Sequence, residues 1–429
     1  VVDLSSEKVR DDWKRILKLT SPEEAAKKLM EHLRLRPKVE ELRVPDSVGR
    51  VLAEDVVADQ DVPPYDCSCF DGYAVRSEDT VNASKSNPVR LRVVAKVLPD
   101  TKELPTIREG EAAFLVTGAP MPPGSDALVK VEETRLEEDS ILVFRRIEKL
   151  ENVAIKGEDV KAGQPILKAG HVIRPIDVGL MMGLGKSKVK VYSKPKVAVI
   201  SVGKELYLKS LEQKEPPPNN YAYVIKGLVD ELGGEAEVLG IYPDDVEVVK
   251  EVLASAISKY DVVLTMGSCS IGINDAVPDA INSLGEPGVI VHGLTLSPGK
   301  PAGFGFVRDK PIIMLPGHIV SAVAAFYVLC LPLLAALTGR RAEDMLPVIK
   351  AKLDEHEAPW GGHRFLRAGV KYVDGDLVAK PMHGGANVMM TLVKSNAYAV
   401  LPPRTELKKG DVVAFRALTL LDLLYMGET

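Results

Sequence analysis

The stretch Asp261-Val262-Val263-Leu264-Thr265-Met266-Gly267-Ser268-Cys269-Ser270-Ile271-Gly272-Ile273-Asn274-Asp275 opens as an apolar run and closes as a Gly/Ser loop. A short apolar run bounded by turn residues reads as a buried strand. Asp275 to Leu284 then reads as a helix. Successive backbone N–H groups in such a loop can form an anion nest, helped by the positive end of the following helix. The loop matches neither GxxxxGK[ST] nor GxGxxG, so generic phosphate motifs give no assignment, and a plain connection explains it equally well.

The same alternation extends outward on both sides. Upstream, Lys196–Ser201 reads as a strand, Asn220–Leu232 as a helix closed by Gly233-Gly234, Glu235–Tyr242 as a strand and Val246–Lys259 as a helix. Downstream, Pro311-Ile312-Ile313-Met314-Leu315-Pro316-Gly317 reads as a strand feeding a long apolar helix. Strand–helix alternation implies a parallel α/β sheet with helices on both faces. Ligands of such sheets sit beyond the carboxyl ends of the strands, where these glycine-rich loops fall.

The flanks differ. Ser21-Pro22-Glu23-Glu24 reads as a helix start with Pro at the first position, followed by Ala25, Leu29 and Leu33 at helical spacing. From Lys38 to about Ile155 the pattern is short β-like runs separated by Pro, Gly, Asp and Asn. After Met345 five β-like runs with Gly and Pro turns predict a small barrel or sandwich. The expected fold class is therefore a multidomain α/β plus β protein.

Composition narrows the function. The 429 residues are 46% hydrophobic and 27% charged, with net charge -5. That is ordinary globular composition, not disorder, and it lacks the basic footprint of a nucleic-acid binder. The four cysteines, Cys67, Cys69, Cys269 and Cys330, form no CxxC pair, so free thiols in a reducing cytoplasm are expected. The charged segment VVDLSSEKVRDDWKRILKLT does not read as a signal peptide, and a start at Val1 implies residues removed or left out before it. Ile319–Gly339 carries no charge and approaches the ~20 residues of a membrane span. Pro332 interrupts it and it has no second such segment beside it, so a core helix is the expectation.

Chemistry-bearing residues gather in the loops. Lys300, in Leu296-Ser297-Pro298-Gly299-Lys300-Pro301, is a point charge held between prolines, suited to phosphate or oxyanion. Leu315-Pro316-Gly317-His318 starts a helix with no Asp or Ser immediately before it, leaving N–H groups for an anion. Carboxylates at Glu205, Asp244, Asp245, Asp275 and Asp71 provide the oxygen donors that Mg²⁺ takes beside phosphates.

Two long motifs then carry a resemblance. Pro63-Pro64-Tyr65-Asp66-Cys67-Ser68-Cys69-Phe70-Asp71-Gly72-Tyr73-Ala74-Val75-Arg76 resembles PPFDNSAMDGYAVR. Val116-Thr117-Gly118-Ala119-Pro120-Met121-Pro122-Pro123-Gly124-Ser125-Asp126-Ala127 is similar to a TGAPLPxGADA signature. With the loops above in the same order, the chain resembles the molybdopterin molybdotransferase family, also called the MoeA or gephyrin E-domain family. The resemblance implies an extended domain (1–45 and 156–194), an inserted β-rich domain (46–155), a molybdopterin-binding α/β domain (195–342) and a C-terminal β-barrel (343–429). It also implies a cytoplasmic homodimer that inserts molybdate or tungstate into adenylylated molybdopterin and releases AMP, using Mg²⁺ or another divalent ion. A molybdopterin adenylyltransferase would be a transient partner, with no role for nucleic acid or membrane.

Carried over residue by residue, the resemblance implies catalytic roles for Asp71, Thr117, Glu205, Asp245 and Asp275, with Asp245 and Asp275 on the metal. It assigns substrate binding to Gly267, Ser268, Ser270, Gly272, Lys300, Pro316, Gly317 and Arg367, and it includes Asp159. The chain departs from the family pattern at Lys204, Ser297, Ile319 and Ala386. Ser297 replaces the first Lys of KPGKP, which removes one cation facing a dianion. The departures imply weakened oxyanion binding. They frame two alternatives: a family member that binds molybdopterin with altered metal insertion, and a protein-interaction scaffold.

Overall fold

The computed structural model describes residues 19–213, 219–269 and 275–422, and it divides into two compact units. One unit combines residues 1–40 with 190–429; the other is 41–189.

The first unit is organised by a six-stranded sheet. Its order is Glu235–Tyr242, Lys196–Val202, Val262–Met266, Lys310–Leu315, Gly303–Val307, Pro287–His292. The first four strands are parallel, as the alternation predicts. Gly303–Val307 runs antiparallel to both its neighbours, so Pro287–His292 at the edge points with the first four again, an arrangement the alternation does not predict. Helices cover both faces. On one, Val246–Lys259 and Ala276–Ser283 pack through Leu253, Ala256 and Ile281. On the other, Pro22–His32, Asn220–Glu231 and the long apolar helix share a core with Val199, Leu264 and Ile313. Ser21 Oγ accepts from the Glu24 amide at 3.1 Å, as its cap position predicts.

Ile319–Leu337 is long and apolar enough to cross a bilayer, yet 89% of its most apolar window is buried inside the unit. It is a core helix. Within it Phe326–Cys330 widens into a π turn, where the Leu331 amide reaches back to the Phe326 carbonyl. Pro332 is the cause: its ring would clash with the carbonyl four residues earlier, and a wider turn relieves this.

The C-terminal sheet has the order Leu296–Ser297, His363–Val373, Asp376–Pro381, Val348–Leu353, Val412–Ala417, Ala397–Leu401. Ala397–Leu401 also pairs with His363–Val373, which closes five strands into a barrel. All five predicted runs are strands. The sixth member lies in the chain between α/β elements, so the Lys300 loop starts from the barrel's edge. Tyr327 stacks on Tyr398 at 4.4 Å and Tyr398 on Phe365 at 5.0 Å, fastening the core helix to the barrel.

The second unit holds a mixed six-stranded sheet, ordered Ala127–Lys130, Gly72–Val75, Glu111–Leu115, Val89–Val97, Ser140–Val143, Thr134–Glu137. Two small two-stranded ribbons and the helix Pro175–Gly183 accompany it. The four cysteine thiols are all unpaired.

Candidate functional site

The four parallel strands end side by side, and their last residues form a floor of backbone. Gly267 has φ +87°, and a Cβ there would meet the Val202 carbonyl oxygen at 2.4 Å. Only glycine fits. A Cβ on Gly317 would lie 3.5 Å from the Gly267 Cα, so two bare backbones face each other. The Gly267 amide donates to the Leu315 carbonyl at 3.0 Å, which fixes the loop to the neighbouring strand. Ser268 follows with φ +49°, and its Oγ accepts from the Ala276 amide at 2.9 Å. Cys269 is buried behind this floor with Sγ 3.4 Å from the Leu315 carbonyl; burial pushes its thiol up to about 12. A thiol so protonated is not a nucleophile.

Two cavities share Gly267 and Gly317 as their common boundary. The larger, about 1040 Å³, is walled by the Thr295–Pro301 loop, Ser268, Ser321, Trp360 and Ala386. The smaller, about 760 Å³, is walled by Glu205, Asp244, Lys204, Lys209 and Tyr221. Lys300 is the only Lys or Arg among the larger cavity's described wall residues, and its ammonium makes no hydrogen bond or ion pair with any described residue. Glu205 and Asp244 lie on the other side of the glycine floor together with Lys204 and Lys209, while Glu24 stands in the larger cavity's wall.

The structure brings Gly267, Ser268, Lys300, Pro316 and Gly317 together in the larger cavity. Glu205 stands in the first turn of Lys204–Glu212 and lines the smaller one. Asp244 lines it too, and its Oδ2 accepts from the Lys204 amide at 2.7 Å. Asp245 is the N-cap of Val246–Lys259; its Oδ1 accepts from the Glu247 and Val248 amides, both at 3.0 Å. Asp275 holds the cap position of Ala276–Ser283, although Ser268 takes the Ala276 amide. Ser270 and Gly272 lie outside the described residues.

Arg367 does not wall the larger cavity. It is 4% exposed, and its Nη2 donates to the Met382 and Gly384 carbonyls at 3.0 and 3.3 Å. Its Nε and Nη1 are buried without a hydrogen-bond partner among the described residues. Burial pulls its pKa below the ordinary value. Ala386, two residues after Gly384, does reach the cavity and its carbonyl accepts from the Val320 amide at 3.0 Å.

In the other unit, Asp71 and Thr117 meet each other. Asp71 Oδ1 accepts from the Thr117 amide at 2.7 Å and from its hydroxyl at 2.8 Å. The backbone bond first, then the hydroxyl, hold this exposed carboxyl below its usual range. Gly72 lets the strand approach its neighbour, since a Cβ there would meet the Val129 carbonyl oxygen at 2.2 Å. Lys130 Nζ lies 3.9 Å from the Phe70 ring centre, on the other side of Asp71 in sequence. Asp159 is exposed, with its amide donating to the Val62 carbonyl at 3.1 Å.

Sequence reasoning reached His318 only as part of the Leu315–His318 loop and missed Thr295, Trp360 and His363 in the larger cavity's wall. His363 Nδ1 lies 2.8 Å from Thr295 Oγ1, and its Nε2 lies 3.3 Å from Glu23. His318 and His363 carried a signal as polar residues at element starts. Trp360 carried none, because its place depends on barrel pairing across more than sixty residues.

The carboxylates suit a hard divalent cation in one way. Mg²⁺ is commonly held by one or two carboxylates plus substrate phosphates, and Glu205 and Asp244 share a wall beside the glycine floor. Among the described residues no three Asp, Glu, His or Cys side chains converge into a self-sufficient cage.

Comparison with known proteins gives three family matches along the chain. The MoeA N-terminal region (domain I and II) matches residues 20–185. A probable molybdopterin binding domain matches 198–336, and the MoeA C-terminal region (domain IV) matches 353–418. A molybdopterin biosynthesis protein of Methanocaldococcus jannaschii is 33% identical over 412 residues, covering 93% of this chain and 98% of that protein. A molybdopterin molybdenumtransferase of Haemophilus influenzae is 30% identical over 410 residues, covering 93% and 97%. The crystal structure of a molybdopterin biosynthesis MoeA protein from Pyrococcus horikoshii superposes with TM-score 0.80 at 32% identity, covering 94% of this chain and 100% of that one.

Proposed function

The chain belongs to the MoeA family, and on that premise we propose that it is a molybdopterin molybdenumtransferase of molybdenum cofactor biosynthesis. It takes adenylylated molybdopterin and molybdate, or tungstate, and yields the metallated cofactor, AMP and water. One observation carries this reading: two cavities of unlike chemistry meet at a bare glycine floor. The substrate has the same plan, two heterocyclic ends joined by a pyrophosphate. Phosphates fit where backbone can approach closely and N–H groups are at hand.

The Lys300 loop, which resembles the family's KPGKP motif, decides which end goes where. The metal is inserted at the pterin's dithiolene and arrives as an oxyanion dianion. The pterin end therefore belongs in the cavity with the unpaired Lys300. The adenosine end then takes the smaller cavity, whose wall carries Lys204 and Lys209 as well as Glu205 and Asp244. Arg367, bonded to the Gly384 carbonyl, holds two buried N–H donors with no partner among the described residues. An oxyanion near them would satisfy donors that are otherwise costly to bury.

Mg²⁺, held by Glu205 with Asp244 or Asp245, would neutralise charge as the anhydride is cleaved. The chain's own residues do the rest. Gly267 and Gly317 let the phosphates lie against backbone, and Ser268 fixes the loop. Asp71, held ionised by Thr117, orients a water or a cation on the phosphate. Asp275 assists from the start of its helix. In this reading the protein is cytoplasmic and homodimeric, Asp71 and Thr117 complete the partner's site, and the adenylyltransferase hands over substrate. The four-part division at 45, 155, 194 and 342 belongs to the same reading.

The test is turnover. AMP should be released from adenylylated molybdopterin only when molybdate or tungstate is supplied. Tight substrate binding with no oxyanion-dependent release would instead indicate a binding protein whose metal site has been lost.

A further inference from the structure

Trp360 stands half exposed, at 53%, in the wall of the larger cavity. Among the described residues its indole makes no hydrogen bond or ring contact. A large aromatic side chain left bare in a concave wall exposes apolar area that folding would otherwise bury.

The backbone around it is nonetheless pinned. The Arg404 amide donates to the Trp360 carbonyl at 2.7 Å. The His363 amide donates to the Thr295 carbonyl at 2.7 Å, and Glu357 and Leu407 exchange bonds at 2.8 and 3.0 Å. Gly361 and Gly362 follow, and a Cβ at 362 would come 3.0 Å from the Thr295 carbonyl oxygen and 4.0 Å from the indole Nε1. So the segment is tied directly to the loop that presents Lys300, and the indole sits over a residue with no side chain. Prolines 298, 301, 316 and 403 add apolar surface to the same wall.

We propose that Trp360 is the platform on which the pterin ring of the substrate stacks, with Lys300 on the same wall facing the oxyanion. This rests on the molybdenumtransferase reading above. The pterin is flat, polar at its edges and apolar on its faces, so an aromatic face recognises it without supplying hydrogen bonds. Stacking fixes the ring plane, and with it the direction in which the dithiolene points along the wall. Trp360 is thus a specificity residue contributed by the barrel to chemistry carried out at the α/β sheet.

The experiment measures binding of adenylylated molybdopterin, without oxyanion, by equilibrium dialysis in three proteins: the parent, Trp360→Phe and Trp360→Leu. AMP alone is measured alongside. Trp360→Leu keeps an apolar side chain and loses the π face; it should weaken adenylylated molybdopterin about ten- to a hundredfold and leave AMP unchanged. Trp360→Phe should stay within about threefold of the parent. Parent-like binding by Trp360→Leu overturns the platform. So does an equal loss of AMP affinity, which would put the adenine on this face. If the parent releases AMP in the turnover assay while Trp360→Leu has an unchanged KM, the platform fails and the enzyme assignment stands. If the parent neither binds nor turns over the substrate, the enzyme assignment fails and the platform with it.

Discussion

The carboxyl edge of the α/β sheet and the Asp71–Thr117 corner of the other unit hold their functional groups by opposite means. At the sheet edge the surface is backbone: Gly267 and Gly317 face each other with no side chain between them, and the shape comes from where parallel strands stop. At the corner the surface is a side chain held by side chain and amide, Asp71 on Thr117. A backbone site fails by steric intrusion and is indifferent to pH. A side-chain site tolerates shape change and fails when its carboxyl is protonated or its partner is removed.

The largest expected effect intrudes on the backbone site. Gly267→Val places a branched side chain at φ +87° against the Val202 carbonyl oxygen. Adenylylated molybdopterin affinity should fall more than about a hundredfold, and the melting temperature should drop as well. Gly227 is the internal control: it lies in the helix Asn220–Glu231, lines neither cavity, and open space surrounds its Cβ position. Gly227→Ala should bind like the parent. Equal tolerance at both glycines would mean that close backbone approach plays no part.

How far the sequence could be read follows the same division. The parallel strands, their loops and the five barrel strands were legible, because each buries a local apolar run. The helix Lys204–Glu212 was not, since it buries no residue and so carries no apolar stripe. The antiparallel pairing hid in Pro287–His292 and Gly303–Val307, where glycines blur the strand pattern. Leu296–Ser297 is two residues long, and only pairing to His363 and Arg364 makes it part of the barrel sheet. That pairing brings Trp360 to Lys300, so neither the tryptophan nor the barrel's share in the cavity could be read locally. Asp245 was legible as an acidic residue after a strand, but the same signal marks a helix cap, and capping is what its Oδ1 does here.

The next effect sharpens the comparison from inside the larger cavity, where one side chain is added to the backbone surface. Lys300→Ala removes the one unpaired cation among that cavity's described walls. A charge pair at 4 Å and an effective dielectric of about 20 has a gross worth of ~4 kcal/mol. Desolvation offsets much of it. A net loss of about 1–3 kcal/mol corresponds to a roughly ten- to hundredfold higher half-saturating molybdate concentration in the AMP-release assay. Ser297→Lys, three residues away at the barrel edge, should lower that concentration. If neither substitution moves it for molybdate or tungstate, the oxyanion binds elsewhere.

The smallest effect belongs to the side-chain corner, and its sign is fixed by the two hydrogen bonds. Both hold the ionised form of Asp71, so its folded pKa lies below the ordinary 3.8. The stabilisation they provide is complete above the unfolded value and is lost as pH falls through the folded one. Thr117→Val deletes the hydroxyl and keeps the amide, which is the larger cause of the shift. The Asp71 carboxyl midpoint, followed by NMR, should therefore rise in Thr117→Val while staying below that of an unfolded chain. The acid limb of the melting temperature should move up with it, by a small amount because the group is exposed to solvent. Gly267→Val should leave this titration where it was. An unmoved midpoint in Thr117→Val would mean that the amide alone holds Asp71, and the corner would then be a backbone site like the sheet edge.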